Sequence, residues 1–205
     1  MLSILRSLVQ EVNSARDLHE ALGIIVSRVQ KAMGTEVCSV YLLDPASNRY
    51  ILMATEGLYL KAVGKVSLAH SEGLVGLVGS REEPINLEDA PSHPRYRYFP
   101  ETGEERFRSF LGVPIIHHRR VLGVLVVQQR ESSRCFDEGE EAFLVTVSAQ
   151  LAGVIAHSEA TGAISGLSLT GEEARDVSFN GVPGAPGVAI GHGVVVYPAA
   201  DLDVV

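Results

Sequence analysis

Apolar residues recur every three or four positions at the start of the chain. Leu2, Leu5, Leu8, Val9 and Val12 share one face of a helix over 2–12. The spacing resumes with Leu18, Leu22, Ile25, Val26, Val29 and Met33, which predicts a helix over 17–33, and Gly34 stands where a capping glycine belongs. The pattern then changes. Residues 37–43 form a short apolar run, Asp44-Pro45-Ala46-Ser47-Asn48 has turn chemistry, and 50–55 reads as the return strand. A weaker strand is predicted over 66–69, a short helix over 73–80 and a strand entry over 84–87. Residues 110–116 and 121–128 form a hairpin across 117–120. Asp137 and Glu140 make an aspartate-headed capping box, opening a helix with Phe143, Leu144, Val147, Leu151, Val154 and Ile155 on one face. The strands do not alternate with long helices, which argues against a Rossmann-type sheet. The expected fold is α+β: a central antiparallel sheet with N- and C-terminal helices packed on one face and a loop region on the other.

Two stretches fall outside this pattern. Residues 88–108 are irregular, with Pro91, Pro94 and Pro100 among charged and aromatic side chains. Loops this long inside a domain are usually functional or disordered, and in the functional reading a ligand pocket is expected between this loop and the sheet. Residues 161–178 are small, polar and acidic, as in a linker. Beyond them, 181–196 is glycine-rich and then apolar at Val194-Val195-Val196, as a loop leading into a strand that lacks sheet partners.

Composition narrows the function classes. Of 205 residues, 46% are apolar and 20% charged, enough to bury a full core. The net charge of -8 disfavours nucleic acid and anionic membranes. Apolar runs such as 121–127 are too short to span a bilayer, and the N-terminus lacks the features of a signal peptide, so a cytoplasmic location is expected. Cys38 and Cys135 are the only cysteines, which leaves no disulfide framework and no zinc site.

The candidate chemistry is sparse. Gly73, Gly76 and Gly79 do not form a P-loop; they read as close packing of a short helix, with free N–H groups near Gly73 as a possible carboxylate site. Of seven scattered histidines, His93 in the long loop is the best ligand candidate, while His117 and His118 belong to a solvated hairpin tip. Arg108 is placed to clamp a carboxylate or to join a solvated face. Neither cysteine has the base and electropositive setting of a nucleophile, and no catalytic residue or metal site is expected.

Three segments carry a resemblance. Glu72-Gly73-Leu74-Val75-Gly76-Leu77-Val78-Gly79, Glu83-Pro84-Ile85-Asn86-Leu87-Glu88-Asp89-Ala90 and Phe110-Leu111-Gly112-Val113-Pro114-Ile115, followed by Gly123-Val124-Leu125, look like the signature segments of GAF domains. Gly181-Val182-Pro183-Gly184-Ala185-Pro186-Gly187-Val188-Ala189-Ile190-Gly191 closely resembles the opening of Enzyme I of the phosphoenolpyruvate-dependent phosphotransferase system. Together they are similar to the nitrogen-branch Enzyme I family. The resemblance implies a GAF fold and a phosphoenolpyruvate-protein phosphotransferase that, with magnesium, passes phosphate through a histidine to the carrier NPr. It also implies sensing of glutamine or 2-oxoglutarate. The phosphorylated histidine of that family lies downstream of Val205, so no catalytic role or cofactor is expected within this chain.

The expected organisation is a GAF domain over 1–160, a linker over 161–179 and the start of an Enzyme I N-terminal domain over 180–205. Gly73, Asn86, His93, Tyr98 and Arg108 are the expected ligand-binding residues, with Arg95 an exposed alternative, and the terminal helices are expected to pair two copies into a homodimer. Asn86-Leu87-Glu88-Asp89 does not match a cyclic-nucleotide motif, and no bilin cysteine is present. The rival readings are a dimerisation module whose pocket is filled by its own side chains, the GAF sensor of a histidine kinase or transcription activator, and an enzymatic GAF domain.

Overall fold

A computed structural model describes residues 2–130 and 135–161; the expected linker beyond 161 and the Enzyme I-like segment lie outside them. Two helices open the chain, α1 (Leu2–Asn13) and α2 (Leu18–Met33). Asp17 caps α2, its carboxylate accepting the Glu20 N–H at 2.8 Å. Gly34 ends α2 at φ +63°, a left-handed conformation that glycine adopts without strain.

Six strands follow: β1 (Val37–Asp44), β2 (Arg49–Glu56), β3 (Ser67–Ala69), β4 (Ile85–Leu87), β5 (Ser109–His117) and β6 (Arg120–Gln129). They form one antiparallel sheet in the order β3-β2-β1-β6-β5-β4. The first turn is built by Asp44, whose carboxylate accepts the Ala46 and Ser47 N–H groups at 3.2 and 3.1 Å. The β5–β6 turn places His118 and Arg119 at φ +47° and +64°, the signature of a tight two-residue hairpin. Between β1 and β2 the register shifts at Val40/Tyr41, leaving Met53 without a partner. This bulge lets β2 direct Tyr50 and Leu52 to one face and Ala54 to the other.

One face carries the helical layer. Cys38, Val40, Leu42, Leu111, Val113, Ile115, Leu125 and Val127 pack against α2 and against α4 (Glu138–Ala160). The predicted capping box starts α4: the Asp137 side chain accepts the Glu140 N–H at 2.8 Å, and Glu140 accepts the Asp137 N–H at 2.9 Å. By length and composition α4 could cross a membrane, yet Phe143, Leu144, Val147, Leu151 and Ile155 are buried in this core, as in the core helix of a globular domain. α1 joins the same layer. It packs mainly on α2, with Leu8 and Val12 buried there, and only touches α4.

The other face is covered by the short helix α3 (Gly73–Arg81) and by the segment 88–107. Leu74, Val75, Leu77 and Val78 meet Tyr41, Tyr50, Leu52, Phe110, Val124 and Val126, with Tyr96 and Phe99 packed at the margin. A Cβ on Gly79 would lie 1.8 Å from the Tyr50 hydroxyl, so only glycine lets α3 seat this closely, as the packing reading of the glycine repeat expected.

Candidate functional site

Beneath the 88–107 segment lies a cavity of about 30 Å³, room for roughly two ordered waters. Its walls come from four places. Tyr41 of β1, Phe110 of β5 and Val126 and Gln128 of β6 supply the sheet side. Gly73, Leu74 and Val75 supply the start of α3, and Leu68 the end of β3. Tyr96, Arg97, Phe99 and Glu104 close it from the irregular segment.

The start of α3 is unusual. Gly73 has φ +67°, and Glu72 does not cap the helix; its carboxylate instead accepts the Ala69 N–H at 3.0 Å. The first α3 bond among these residues runs from Gly76 N–H to Glu72 O, so the amides of 73–75 have no partner in the helix itself.

Glu104 is the main polar feature. Only 9% of it is exposed, in a short helical turn over Glu104–Arg106. Its Oε1 accepts the Phe99 N–H at 3.2 Å, and the Gln128 and Thr102 side chains stand within hydrogen-bonding reach. Burial pushes its carboxyl up to about 7; these hydrogen bonds offset only part of the desolvation, and neighbouring Glu105 adds a little more. The same burial raises the Tyr41 phenol far above its usual range and Tyr96 to about 12.

Of the five expected ligand residues, only Gly73 lines this cavity. Asn86 on β4 is occupied elsewhere: its amide donates to Phe136 O at 2.8 Å and accepts the Phe136 N–H at 3.3 Å, tying β4 to the entry of α4. His93 is half-buried, and its Nδ1 accepts the Arg95 N–H at 3.1 Å. Tyr98 is exposed beside Glu105. Arg108 is exposed and pairs with Asp89 at 3.1 Å, a surface ion pair of small energetic consequence. Arg95 is exposed and donates to Ser71 O. Arg97 contributes to the cavity lining but is itself exposed.

Sequence reasoning missed Glu104, Gln128, Tyr41 and Arg97. Glu104 sits among Glu101, Glu105, Arg106 and Arg108 and reads as a solvated charge run, while Tyr41 and Gln128 read as strand positions. Cys38 is fully buried on the helical side of β1, where desolvation pushes its thiol far up, and Cys135 is exposed before α4. Among the described residues, no three His, Cys, Asp or Glu side chains form a metal cluster.

The GAF domain family model matches residues 17–155. A phosphoenolpyruvate-dependent phosphotransferase system protein of Escherichia coli is 52% identical over 193 residues, covering 94% of this chain and 25% of that protein. The chain therefore spans a quarter of the length of that curated relative. The GAF domain of a phosphoenolpyruvate-protein phosphotransferase from Coxiella burnetii is 52% identical with a TM-score of 0.76, covering 79% of this chain and 96% of that one. The corresponding domain from Acinetobacter is also 52% identical, with a TM-score of 0.72, covering 80% of this chain and 97% of that one. A helix-backed antiparallel sheet with α3 and an irregular segment over its other face, matched at this identity over nearly whole solved domains, leads to one assignment: the chain belongs to the GAF domain family and groups within it with the GAF domains of phosphoenolpyruvate-protein phosphotransferases.

Proposed function

We propose that this chain is the regulatory, small-molecule-sensing GAF domain of a phosphoenolpyruvate-dependent protein phosphotransferase that phosphorylates the carrier NPr in a nitrogen phosphotransferase system. The observation that carries the sensing role is the cavity under 88–107. It sets the buried polar groups Glu104 and Gln128 among aromatic walls, with Arg97 on the lining. A few fixed polar groups in an apolar setting are what orient a small ligand. In this reading the full-length enzyme is cytoplasmic and uses magnesium, and the catalytic histidine lies outside this chain. Two copies pair through α1 and α4, where Ile4 and Val145 are exposed.

Glutamine and 2-oxoglutarate are the proposed effectors. Titration calorimetry of the 205-residue chain with each tests this: saturable heat for at least one is expected, and no heat for either at millimolar concentration overturns sensing of these two. The second reading is a dimerisation module. It is favoured by the small size of the cavity, which Tyr41, Tyr96, Phe99 and Phe110 leave too narrow for an amino acid until the 88–107 segment moves.

A further inference from the structure

Glu104 joins the irregular segment to the sheet. It is buried, its carboxyl stands within hydrogen-bonding reach of Gln128 on β6, and it lines the cavity together with Tyr41 of β1 and Phe110 of β5. It has no ion-pair partner among the described residues. A carboxylate held among aromatic rings without a cation is far costlier than the neutral acid.

The segment is fastened at its ends and sparsely held between them. Ala90 is buried and its N–H donates to Arg108 O at 2.8 Å, while Phe107 is buried with Val37 and Leu58. Between these anchors, Tyr59 N–H donates to Thr102 O at 3.1 Å, and the exposed Arg95 donates to Ser71 O. The bonds from Phe99 N–H to the Glu104 carboxyl and from Thr102 N–H to Phe99 O are internal to the segment; they shape its turn and do not tie it down. The reach from Glu104 to Gln128 does cross from the middle of the segment to the sheet.

We propose that Glu104 is a pH-operated latch on residues 91–106: as the neutral acid it holds them on the sheet, and on ionising it releases them between the anchors at Ala90 and Phe107. The proposal concerns the ligand-free chain and does not depend on the sensing role. The neutral acid keeps its contacts without a buried charge. The ionised form is left desolvated, and displacement of the segment that carries it brings it to water.

The groups facing Glu104 leave it as the one that changes charge near neutrality. Tyr41 of β1 is raised far above its usual range, Tyr96 of the segment to about 12, and Tyr98 above its usual range, so all three stay neutral near pH 7. Glu105 of the same turn adds like charge, which favours the neutral acid, and Arg97 lines the cavity but is exposed. Gln128 of β6, Leu68 of β3 and Gly73, Leu74 and Val75 of α3 do not titrate. Burial raises Glu104 itself from 4.5 to about 7. With the ordinary value restored in the opened segment, the opening equilibrium rises about tenfold from pH 6 to pH 8 and levels off above that.

The test is amide hydrogen exchange on the ligand-free 205-residue chain from pH 6 to pH 9, expressed as protection relative to unstructured peptide at the same pH. The Phe99 and Thr102 amides are expected to lose about tenfold protection between pH 6 and pH 8. They should stay at least about tenfold less protected than the amides of β5 and β6 and insensitive to low urea, as local opening requires. Glu104→Gln, neutral at every pH, should keep at pH 8 the protection seen at pH 6. Protection at Phe99 and Thr102 that does not change with pH overturns the latch. So does protection and urea dependence shared with β5 and β6, because the segment then opens only with the whole domain. A Glu104→Gln variant that keeps the wild-type pH profile assigns the titration to another group and overturns it as well. The first two outcomes are read on the wild-type chain, so they decide the matter even if the variant folds poorly.

Discussion

Glu104 ties stability to pH through a group whose native pKa is raised. Its contribution is fully present below about pH 4.5, where the carboxyl is protonated in both states, and is lost as pH rises through about 7. Urea unfolding of the ligand-free chain should therefore show stability falling between pH 5 and pH 8, by up to roughly 3 kcal/mol. Glu104→Gln should flatten that part of the profile and be the more stable protein at pH 8. A variant whose profile tracks the wild type would refute the assignment of the titrating group.

Tyr50 poses the opposite situation: its hydroxyl is buried without a hydrogen-bond partner among the described residues, against Gly79. Tyr50→Phe removes an unsatisfied group and should change stability by less than about 1 kcal/mol. Gly79→Ala forces a Cβ to 1.8 Å from that oxygen and should cost about 1–3 kcal/mol or more. The double variant should recover part of the loss, and a double-mutant cycle without coupling would show that the clash is not what destabilises the single one. Neither Glu104 nor Tyr50 announces itself in the sequence. The one looks like a member of an exposed charge run and the other like an ordinary strand tyrosine, because burial by a distant segment leaves no local signature.

The helices and strands were far more legible. Asp17 and Gly34 delimit α2, and Asp137 with Glu140 starts α4, since capping satisfies backbone groups within a few residues of chain. The capping box at α4 and the hairpin at 117–120 follow the pattern directly. Asn86 belongs to this level too. Its amide made it a candidate to hydrogen-bond a ligand, but its two bonds to Phe136 fasten β4 to the start of α4 across 50 residues of chain. Asn86→Ala leaves both Phe136 backbone groups without that partner and should cost about 1–3 kcal/mol in denaturant unfolding. Effector affinity should stay within about twofold of wild type; a tenfold loss with unchanged stability would return Asn86 to the binding site.

The domain as a whole presents one helical face and one loop-covered face, and the cavity lined by Glu104 belongs to the second. α4 buries one side on the sheet and leaves Ala142, Val145, Thr146, Ala149 and Gly153 exposed along its middle, with Glu138, Gln150 and His157 also exposed. In the proposed homodimer this outward surface is shared by two copies, as in a helical bundle. Sedimentation equilibrium should give twice the chain mass, and Val145→Glu, which sets a charge in that surface, should shift the chain to monomer. A wild-type chain that sediments as a monomer at tens of micromolar rules the pairing out. The dimer and the cavity lie on different layers, so a ligand that favours one arrangement of the 88–107 segment must act through the sheet to be felt by α4.

Periodicity, caps and turn residues determined the order of elements, the antiparallel α+β class and the helical layer, because those signals are local and repeat along the chain. Ordered glycine and proline segments carried the family resemblance for a related reason: each marks a backbone turn or close approach that tolerates few alternatives, as Gly79 under Tyr50 illustrates. The cavity was decided only in three dimensions. Tyr41, Gly73, Glu104 and Gln128 come from separate parts of the chain, whereas His93, Tyr98 and Arg108 were chosen from sequence for their polarity and position in the loop. Tertiary packing turned Arg108 and Tyr98 outward and Glu104 inward, since desolvation depends on what covers a side chain rather than on its neighbours in sequence.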